Sequence, residues 1–377
     1  SLSTDINKFR KLKMIKKIVK SILTKEAYSD LLFKKNQFKA SFKASPFEEN
    51  IKAIKKIIII GVADYMNLGD HAIGEAQRRF LDTILENNLE YKVLEIPVKT
   101  PVVHIERIIG DDDIIMFTGG GNLGTKYEML HDIFLPIIKD FPNTQKLFFP
   151  QSFSFNKETD SEKFIEKVKK VFAESRRNLT ITARESKSFK LFKETFPENN
   201  VIFTPDIVFS MNQRDKKPQK REGILMLMRE DKEKVLPLAK QTQIQEALSK
   251  SFKVKLHIND SNFTPDMDKR LTSLNKKWNE IKKHELVITD RLHGMIFAQI
   301  TGTPCIVFDN YNSKIKMTVN DWLSDTDNIV FIDPRENINI EKFVLLASYL
   351  CGKSVEEFKT TEKYAPLIQK INELIEY

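Results

Sequence analysis

The sequence predicts an α/β protein made of two doubly wound, Rossmann-like domains that face each other across a cleft. Short apolar runs alternate with helical stretches from residue 55 to residue 332, which is typical of parallel sheets covered by helices. A polar, lysine-rich stretch at residues 213–222 interrupts this pattern and indicates a linker. A length of 377 residues also exceeds what one ordinary core requires.

The apolar runs predict eleven strands. Six precede the linker, at residues 56–61, 91–96, 113–118, 146–150, 180–183 and 201–203. Five follow it, at residues 223–228, 253–257, 286–289, 305–308 and 329–332. This division predicts an N-terminal α/β domain, a C-terminal α/β domain and terminal helices, at residues 51–212, 223–340 and 341–377. Ligands of such sheets bind beyond the carboxyl ends of the strands, so the loops at those ends are the candidate sites.

Residues 1–50 are predicted to form a separate, basic and amphipathic helical segment. Seven lysine or arginine residues lie between positions 8 and 20, and apolar residues recur among them near helical spacing, at Phe9, Leu12, Ile15, Val19 and Ile22. Two interpretations remain open. The segment either docks on the rest of the protein with a solvated charged face, or its residues 1–45 lie on the anionic inner surface of a membrane.

The composition limits which classes of binding partner and which cellular compartment we expect for the protein. The net charge of +9 favours anionic partners such as phosphorylated small molecules or anionic lipid surfaces. No nucleic-acid-binding motif is present, so we expect no nucleic-acid partner. The longest apolar run, residues 57–62, is far shorter than the ~20 residues of a membrane span. The two distant cysteines, Cys305 and Cys351, suit neither a disulfide framework nor a zinc site, and fit a reducing cytoplasm.

Four predicted strand-to-helix loops carry residues suited to chemistry. The first, residues 61–70, places Asn67 and Asp70 at the start of a helix. An alternative interpretation is that Asp70 only caps that helix, but this would leave the rest of the polar cluster unexplained.

The second loop contains the glycine triplet Gly119, Gly120 and Gly121 and formally matches the GxGxxG pattern of dinucleotide-binding proteins. That class of site needs an acidic residue at the end of the next strand, which here ends in Phe-Pro-Gln-Ser. A nicotinamide cofactor is therefore not expected. Consecutive glycines still let backbone amides approach an anion or a sugar closely.

The third loop places Arg184 where a strand ends, either in a structural ion pair or aimed at a carboxylate or phosphate. The fourth loop gives the strongest signal, because Asp290, Arg291 and His293 follow a β-branched strand within four residues. Gly294 and a helix come next, and helix N-termini bind anions. These three side chains form a compact acid–base set. The arginine supplies charge, the histidine transfers a proton, and the aspartate orients the histidine or accepts a proton.

Taken together, these loops resemble the polysaccharide pyruvyl transferase family. The resemblance is carried in chain order by five motifs, Asn67-Leu68-Gly69-Asp70, Gly119-Gly120-Gly121, Ala183-Arg184-Glu185, Pro205-Asp206 and Arg291-Leu292-His293-Gly294, and covers roughly residues 57–325. It implies a GT-B-like fold, phosphoenolpyruvate as donor, a pair of sugar hydroxyls as acceptor and a ketal product. It also implies that Arg184 and Arg291 hold the donor and that His293 is catalytic.

The residues suit this chemistry on their own terms. Phosphoenolpyruvate carries a carboxylate and a phosphate, so it needs at least two cationic contacts, and its methylene must accept a proton before the central carbon becomes electrophilic. No metal or cofactor is required. We expect Asn67, Asp70 and the glycine triplet to face the acceptor sugar, with Asp70 as the general base and Asp290 as the second choice.

Two alternatives remain open at this point, the second of another class. A glycosyltransferase of the same architecture would use a nucleotide sugar, although the sequence reveals no pocket for a base and ribose. A non-catalytic scaffold with a degenerate site is disfavoured by the intact Arg291 and His293.

Overall fold

A computed structural model describes residues 25–88, 90–124, 129–154, 159–217, 219–258 and 266–376. In this part of the chain the strands form two parallel sheets. The first sheet contains β1 (Lys56–Val62), β2 (Lys92–Pro97), β3 (Ile114–Phe117), β4 (Gly120–Gly124), β5 (Lys146–Ser154), β6 (Leu179–Ala183) and β7 (Asn200–Phe203). The second contains β8 (Ile224–Met228), β9 (Val254–Ile258), β10 (Leu286–Thr289), β11 (Cys305–Phe308) and β12 (Ile329–Ile332). All eleven predicted strands are present.

Helices alternate with these strands. In chain order the α-helices are α1 (Lys25–Ser41), α2 (Leu68–Ile84), α3 (Val102–Ile108), α4 (Leu135–Asp140), α5 (Thr159–Ser175), α6 (Ser186–Thr195), α7 (Leu238–Ser249), α8 (Arg270–Lys282), α9 (Leu292–Thr301), α10 (Lys314–Thr318), α11 (Ile340–Leu350), α12 (Thr360–Lys363) and α13 (Ala365–Glu376). The predicted amphipathic pattern at residues 9–22 lies outside the described residues.

The strand order places a reversal point in each sheet. The first sheet runs β2-β1-β3-β5-β6-β7, with β4 paired to β5, and the second runs β12-β11-β10-β8-β9. The chain therefore winds outward in one direction from β1 and in the other from β3, and it does the same from β8 and β10. Crevices form beyond the carboxyl ends of such strand pairs. Both sheets direct their reversal points at one cleft, which is the GT-B-like architecture that the sequence predicted.

The central strands appear in the sequence as apolar runs because both faces of the sheets are buried. In β1 every residue from Ile57 to Ile60 has no exposed surface. In the second sheet, Leu225 and Val287 pack into one core cluster, whereas Ile224 and Ile288 pack into another on the opposite face. Side chains of a strand alternate between faces, so a strand covered by helices on both sides needs apolar residues throughout.

The glycine triplet does not form the strand-to-helix loop that the sequence predicted. Residues Gly120–Gly124 form the short strand β4, which pairs in parallel with β5 from Gly120 opposite Gln151 to Gly124 opposite Ser154. The reason is steric, since a Cβ at Gly124 would overlap the carbonyl oxygen of Ser154. Small residues let this segment lie close to β5, and strand propensity gives no hint of it.

The described chain divides into two units. The smaller unit comprises the described residues up to Ile54 together with Thr100–Gly110, and it contains α1 and α3. In it, the backbone amide of Val103 donates to Oε1 of Gln37 over 3.0 Å. The larger unit, Lys55–Lys99 with residues from Asp111 onward, contains both sheets and the cleft.

The C-terminal helices return to the first sheet. Helix α13 packs against β7, and the hydroxyl of Tyr364, just before it, donates to the carbonyl oxygen of Asp206. Farther upstream, the indole nitrogen of Trp322 donates to the carbonyl oxygen of Arg184 over 2.8 Å. Late parts of the chain therefore fix the backbone at two loops of the first sheet.

Candidate active site

A cavity of about 390 Å³ lies at the carboxyl ends of the strands, between the two sheets. Its wall includes seven of the ten residues that the sequence singled out, Asn67, Asp70, Gly121, Arg184, Arg291, His293 and Gly294. Gly119, Gly120 and Asp290 are not part of the wall. The fold thus brings together side chains from loops more than 200 residues apart in the chain.

Asn67, rather than Asp70, caps helix α2. Its side-chain oxygen accepts hydrogen bonds from the backbone amides of Gly69, over 3.0 Å, and Asp70, over 3.3 Å. The carboxylate of Asp70 instead accepts a hydrogen bond from the hydroxyl of Tyr65 over 2.9 Å. Burial and the nearby charge of Asp70 raise the pKa of Tyr65, so this hydroxyl stays protonated and keeps donating. Asp70 is therefore held at the cavity wall by a fixed donor.

Gly69 brings the first sheet's loop directly against His293. A Cβ at position 69 would overlap the imidazole ring, lying 2.7 Å from its Cγ. Since real side chains do not approach so closely, only glycine lets the start of α2 and the histidine occupy these positions. The two halves of the cavity consequently meet at this contact.

The glycines of the triplet serve close packing more than ligand contact. The backbone amide of Gly119 donates to Oε1 of Gln77 over 2.7 Å, and a Cβ there would lie 2.8 Å from the carbonyl oxygen of Pro150. Gly120 has a φ of +115°, which side chains rarely permit. Gly121 reaches the cavity wall.

Arg184 combines the two roles that the sequence left open. Its side chain is buried, with Nε donating to Oγ of Ser152 over 2.7 Å and Nη1 donating to Oδ2 of Asp206 over 2.6 Å. It also lines the cavity. The guanidinium is thus held rigidly by a buried ion pair while it supplies positive charge to the site.

Asp206 is the residue that sequence reasoning missed beside His293. Oδ2 of Asp206 lies 3.5 Å from Nε2 of His293, and the carboxylate is almost fully buried. Burial alone would raise the pKa of Asp206, but the nearby charges of His293 and Arg184 lower it well below its usual range. A permanent anion therefore faces the imidazole. Pro205-Asp206 already stood among the family-like motifs, directly after β7, so the signal was present.

Asp290 lies away from the reacting volume. It is fully buried, and its Oδ1 accepts a hydrogen bond from the backbone amide of Arg229 over 2.9 Å, which ties the end of β10 to the end of β8. Burial raises the pKa of Asp290. This geometry suits a structural role better than that of general base, for which Asp290 is the second choice from the sequence. Of the two aspartates considered for that role, Asp70 is the one that lines the cavity.

Gly294 and Thr289 shape the N-terminal end of α9. Oγ1 of Thr289 accepts from the backbone amide of Arg291 over 3.1 Å and donates to the carbonyl oxygen of Leu227 over 2.7 Å. A Cβ at Gly294 would crowd that same hydroxyl. The missing side chain therefore lets the helix start close to the strand, with Arg291 at its N-cap position and His293 in its first turn.

A fifth strand end, that of β11, supplies residues that the sequence analysis did not select. Asn310, Asn312 and Lys314 all line the cavity. Burial, and then the charge of Arg184, lower the pKa of Lys314 to about 8. The side-chain oxygen of Asn310 is buried with no hydrogen-bond partner among the described residues. These residues follow a strand beside β10, so the topology could have identified them had the sheet order been known.

The loop after β8 adds a charged cluster to the same wall. Arg229 forms ion pairs with Asp231 and Glu233, each at 2.8 Å. On the wall as a whole, cationic side chains outnumber carboxylates, with Arg184, Arg229, Lys277, Arg291 and Lys314 against Asp70, Asp231 and Glu233. Two of these cations, Arg184 and Lys277, also pair with Asp206 and Glu280. Among the described residues, no group of His, Cys, Asp and Glu side chains is arranged to hold a metal ion.

The chain is similar to one family model and to several known proteins. The family model described as polysaccharide pyruvyl transferase matches residues 67–313. General stress protein 30 of Bacillus subtilis is 31% identical over 83% of this chain and 90% of its own length. Pyruvyl transferase 1 of Schizosaccharomyces pombe is 28% identical over 74% of this chain and 72% of its own length. A functionally uncharacterized protein of Klebsiella pneumoniae, whose crystal structure is known, has a TM-score of 0.49 and 18% identity over 75% of this chain and 95% of its own. The chain belongs to the polysaccharide pyruvyl transferase family.

Proposed function

We propose that this protein transfers the enolpyruvyl group of phosphoenolpyruvate onto two hydroxyls of a sugar, forming a pyruvate ketal on a cell-surface polysaccharide or its lipid-linked precursor. The observation that carries the proposal is the His293–Asp206 pair, 3.5 Å apart, in a cavity whose wall carries more cationic side chains than carboxylates. Family membership supplies the pyruvyl group and the polysaccharide acceptor.

The donor would lie at the N-terminus of α9. Its phosphate and carboxylate would contact Arg291 and Lys314 from the second sheet, and Arg184 from the first. An arginine fork matches either anionic group in a bidentate manner, and helix amides add further donors. A donor held from both sides also requires the two sheets to stay together, which the buried contact of Gly69 with His293 favours.

His293 would act as the general acid. Its imidazolium protonates the methylene carbon of phosphoenolpyruvate, and the facing carboxylate of Asp206 stabilises the charged ring before transfer. The central carbon then becomes cationic, and a sugar hydroxyl adds to it and releases its proton to Asp70. Phosphate leaves as its bond to the same carbon breaks, and a second hydroxyl adds and returns a proton to His293. The proton held by Asp70 leaves with the phosphate, so the products are a ketal and inorganic phosphate.

The acceptor would lie against the first sheet. Asn67, Asp70 and Gly121 line that side of the cavity and provide polar side chains and exposed backbone. The Tyr65 hydroxyl donates to Oδ2 of Asp70, so Oδ1 of the same carboxylate would accept the proton. We expect Asp70→Asn to lower turnover measured at saturating acceptor. The affinity for the donor should stay close to that of the unmodified protein.

Calorimetric titration and a phosphate-release assay test the proposal against its alternatives. We expect binding of phosphoenolpyruvate but not of nucleotide sugars, and phosphate release only when a glycan acceptor is present. Arg291→Lys keeps the charge but loses the fork, so donor affinity should fall by about 1.5–3 kcal/mol. A nucleotide sugar that binds in place of phosphoenolpyruvate would instead favour a glycosyltransferase, and a protein that binds neither would favour a scaffold.

We also place the protein on the cytoplasmic side of the membrane, where residues 1–45 would contact anionic lipid peripherally. Among the described residues, no helix is long and apolar enough to cross a bilayer. The support for membrane contact is the basic, amphipathic pattern in residues 8–22 and the expectation that polysaccharides are assembled on lipid-linked precursors. No nucleic-acid partner is proposed.

A further inference from the structure

Helix α1 packs through one face and presents a second apolar face to solvent. On the packed face, Ala40 is buried, and Gln37 accepts the hydrogen bond from the amide of Val103 in the same small unit. The carbonyl oxygen of Ser41, on that face as well, accepts from Nη2 of Arg107 over 3.3 Å. These contacts fix which side of α1 is turned away from its own unit.

The outward face carries large apolar side chains. Phe38 is 66% exposed and Phe42, just past the helix end, is 76% exposed, with their rings in edge-to-face contact at 4.9 Å. Leu31 lies seven residues before Phe38 and is 48% exposed. Residues at spacings of seven and four fall on one side of a helix, so the three form a stripe opposite Ala40, which Lys34 and Lys35 interrupt between Leu31 and Phe38. The contiguous apolar part of the stripe is the edge-to-face pair of Phe38 and Phe42, and exposed apolar patches mark interaction surfaces.

The charges that flank the stripe identify its partner. Between Leu31 and Lys43 the chain carries four lysines and no acidic residue, and Lys34, Lys35 and Lys39 are exposed on either side of the phenylalanines. An apolar stripe bordered by lysines suits the boundary between acyl chains and anionic headgroups, because rings enter the hydrocarbon while ammonium groups stay with the lipid phosphates. A protein partner would instead need an acidic side chain opposite each lysine, whereas an anionic leaflet offers negative charge at every position.

We propose that the outward face of α1, formed by Leu31, Phe38 and Phe42 with their flanking lysines, is an insertion site for an anionic lipid surface. This inference deepens the membrane contact proposed above, because it assigns insertion to side chains of α1 rather than to basic charge alone. It is independent of the reaction chemistry, since none of these residues lines the cavity.

Co-sedimentation of the full chain with vesicles tests the site. We compare vesicles of phosphatidylcholine containing phosphatidylglycerol with vesicles of phosphatidylcholine alone. Phe38→Ser with Phe42→Ser should weaken binding to the anionic vesicles by at least about tenfold while leaving all charges in place. Leu345→Ser with Tyr349→Ser is the matched control, because this exposed apolar pair lies on α11, in the larger unit and outside the proposed site. Binding within twofold of the unmodified protein for both variants would overturn the proposal.

Two further measurements distinguish lipid insertion from a role in catalysis and from self-association. Phosphate release with a soluble acceptor should be unchanged in the variant Phe38→Ser with Phe42→Ser. The vesicle assay thus tests lipid insertion and the phosphate-release assay tests the proposed reaction, so failure of one proposal is distinguishable from failure of the other. Sedimentation velocity without vesicles should give the same oligomeric state for variant and unmodified protein. A shift from a larger to a smaller species would identify the face as a contact between copies of the chain and would overturn the lipid assignment.

Discussion

Replacement of Gly69 by alanine tests whether the contact between the two sheets positions His293, the proposed general acid. The new Cβ would lie 2.7 Å from Cγ of His293, so either the imidazole or the start of α2 must move. Alanine is a better helix former than glycine by about 0.8–1.0 kcal/mol, and insertion of a methyl group into a packed site costs about 1–3 kcal/mol. The two terms nearly offset, and we expect a net loss of stability of at most about 2 kcal/mol.

The effect on turnover should be much larger than the effect on stability. A displacement of about 1 Å of a catalytic group can reduce the rate roughly 10²-fold. We therefore expect Gly69→Ala to reduce phosphate release with saturating phosphoenolpyruvate and acceptor by about that factor. The free energy of unfolding, measured in urea on the same preparation, should change little.

A double-mutant cycle separates displacement of the histidine from obstruction of the cavity, because Gly69 also lines its wall. In the His293→Ala background, Gly69→Ala should cause almost no further loss, since the ring that it displaces is gone. An equal loss in both backgrounds would mean that the methyl group blocks a ligand. Turnover of Gly69→Ala equal to that of the unmodified protein would refute the positioning argument altogether.

Three further predictions concern single charged groups of the cavity. His293→Ala should retain donor affinity by calorimetry while turnover falls about 10²–10⁴-fold, and near-normal turnover would remove it as the general acid. Asp206→Asn should cost about 3–5 kcal/mol in urea unfolding near neutral pH, because it leaves buried Arg184 unpaired. The pKa of Asp206 is lower in the folded protein than in the unfolded chain, so the ionised carboxylate stabilises the fold above the unfolded pKa and this stabilisation is lost as pH falls. The free energies of unfolding of the unmodified protein and of Asp206→Asn should therefore come about 1 kcal/mol closer between pH 5 and pH 3. A difference that stays constant over this range would contradict an ionised Asp206. Lys314 has a pKa of about 8, so kcat/KM for phosphoenolpyruvate should fall more steeply above that pH in the unmodified protein than in Lys314→Arg, whose guanidinium stays charged. Identical profiles would exclude Lys314 as a donor contact.

Eleven strands and three of the four loops were predictable because their signals are local. Parallel strands covered on both faces need continuous apolar runs, as in Ile57–Ile60, and polar residues directly after such runs lie at one edge of the sheet. This reasoning reached Asn67, Asp70, Arg184 and His293 without any tertiary information.

What the sequence did not predict depends on pairs of residues that are distant in the chain. Asp290 neighbours His293 in sequence, yet the strand end turns its carboxylate inward to the amide of Arg229. Asp206, 87 positions before His293, faces the imidazole instead. The strand at Gly120–Gly124 was missed for a related reason, since its pairing rests on close approach to β5 and not on strand-forming side chains.

The bond from Tyr364 to the carbonyl oxygen of Asp206 joins positions 158 residues apart, and it has a consequence for biosynthesis. Domains fold from the N-terminus as the ribosome releases them, so the first sheet is complete while much of the chain is still untranslated. Its Asp206 loop must then wait for Tyr364, and its Arg184 loop for Trp322, before either backbone is fixed. A nascent first domain therefore holds the Asp206 and Arg184 loops without their final geometry. Its side of the cavity is completed only in a late step, after Trp322 and Tyr364 have emerged and docked.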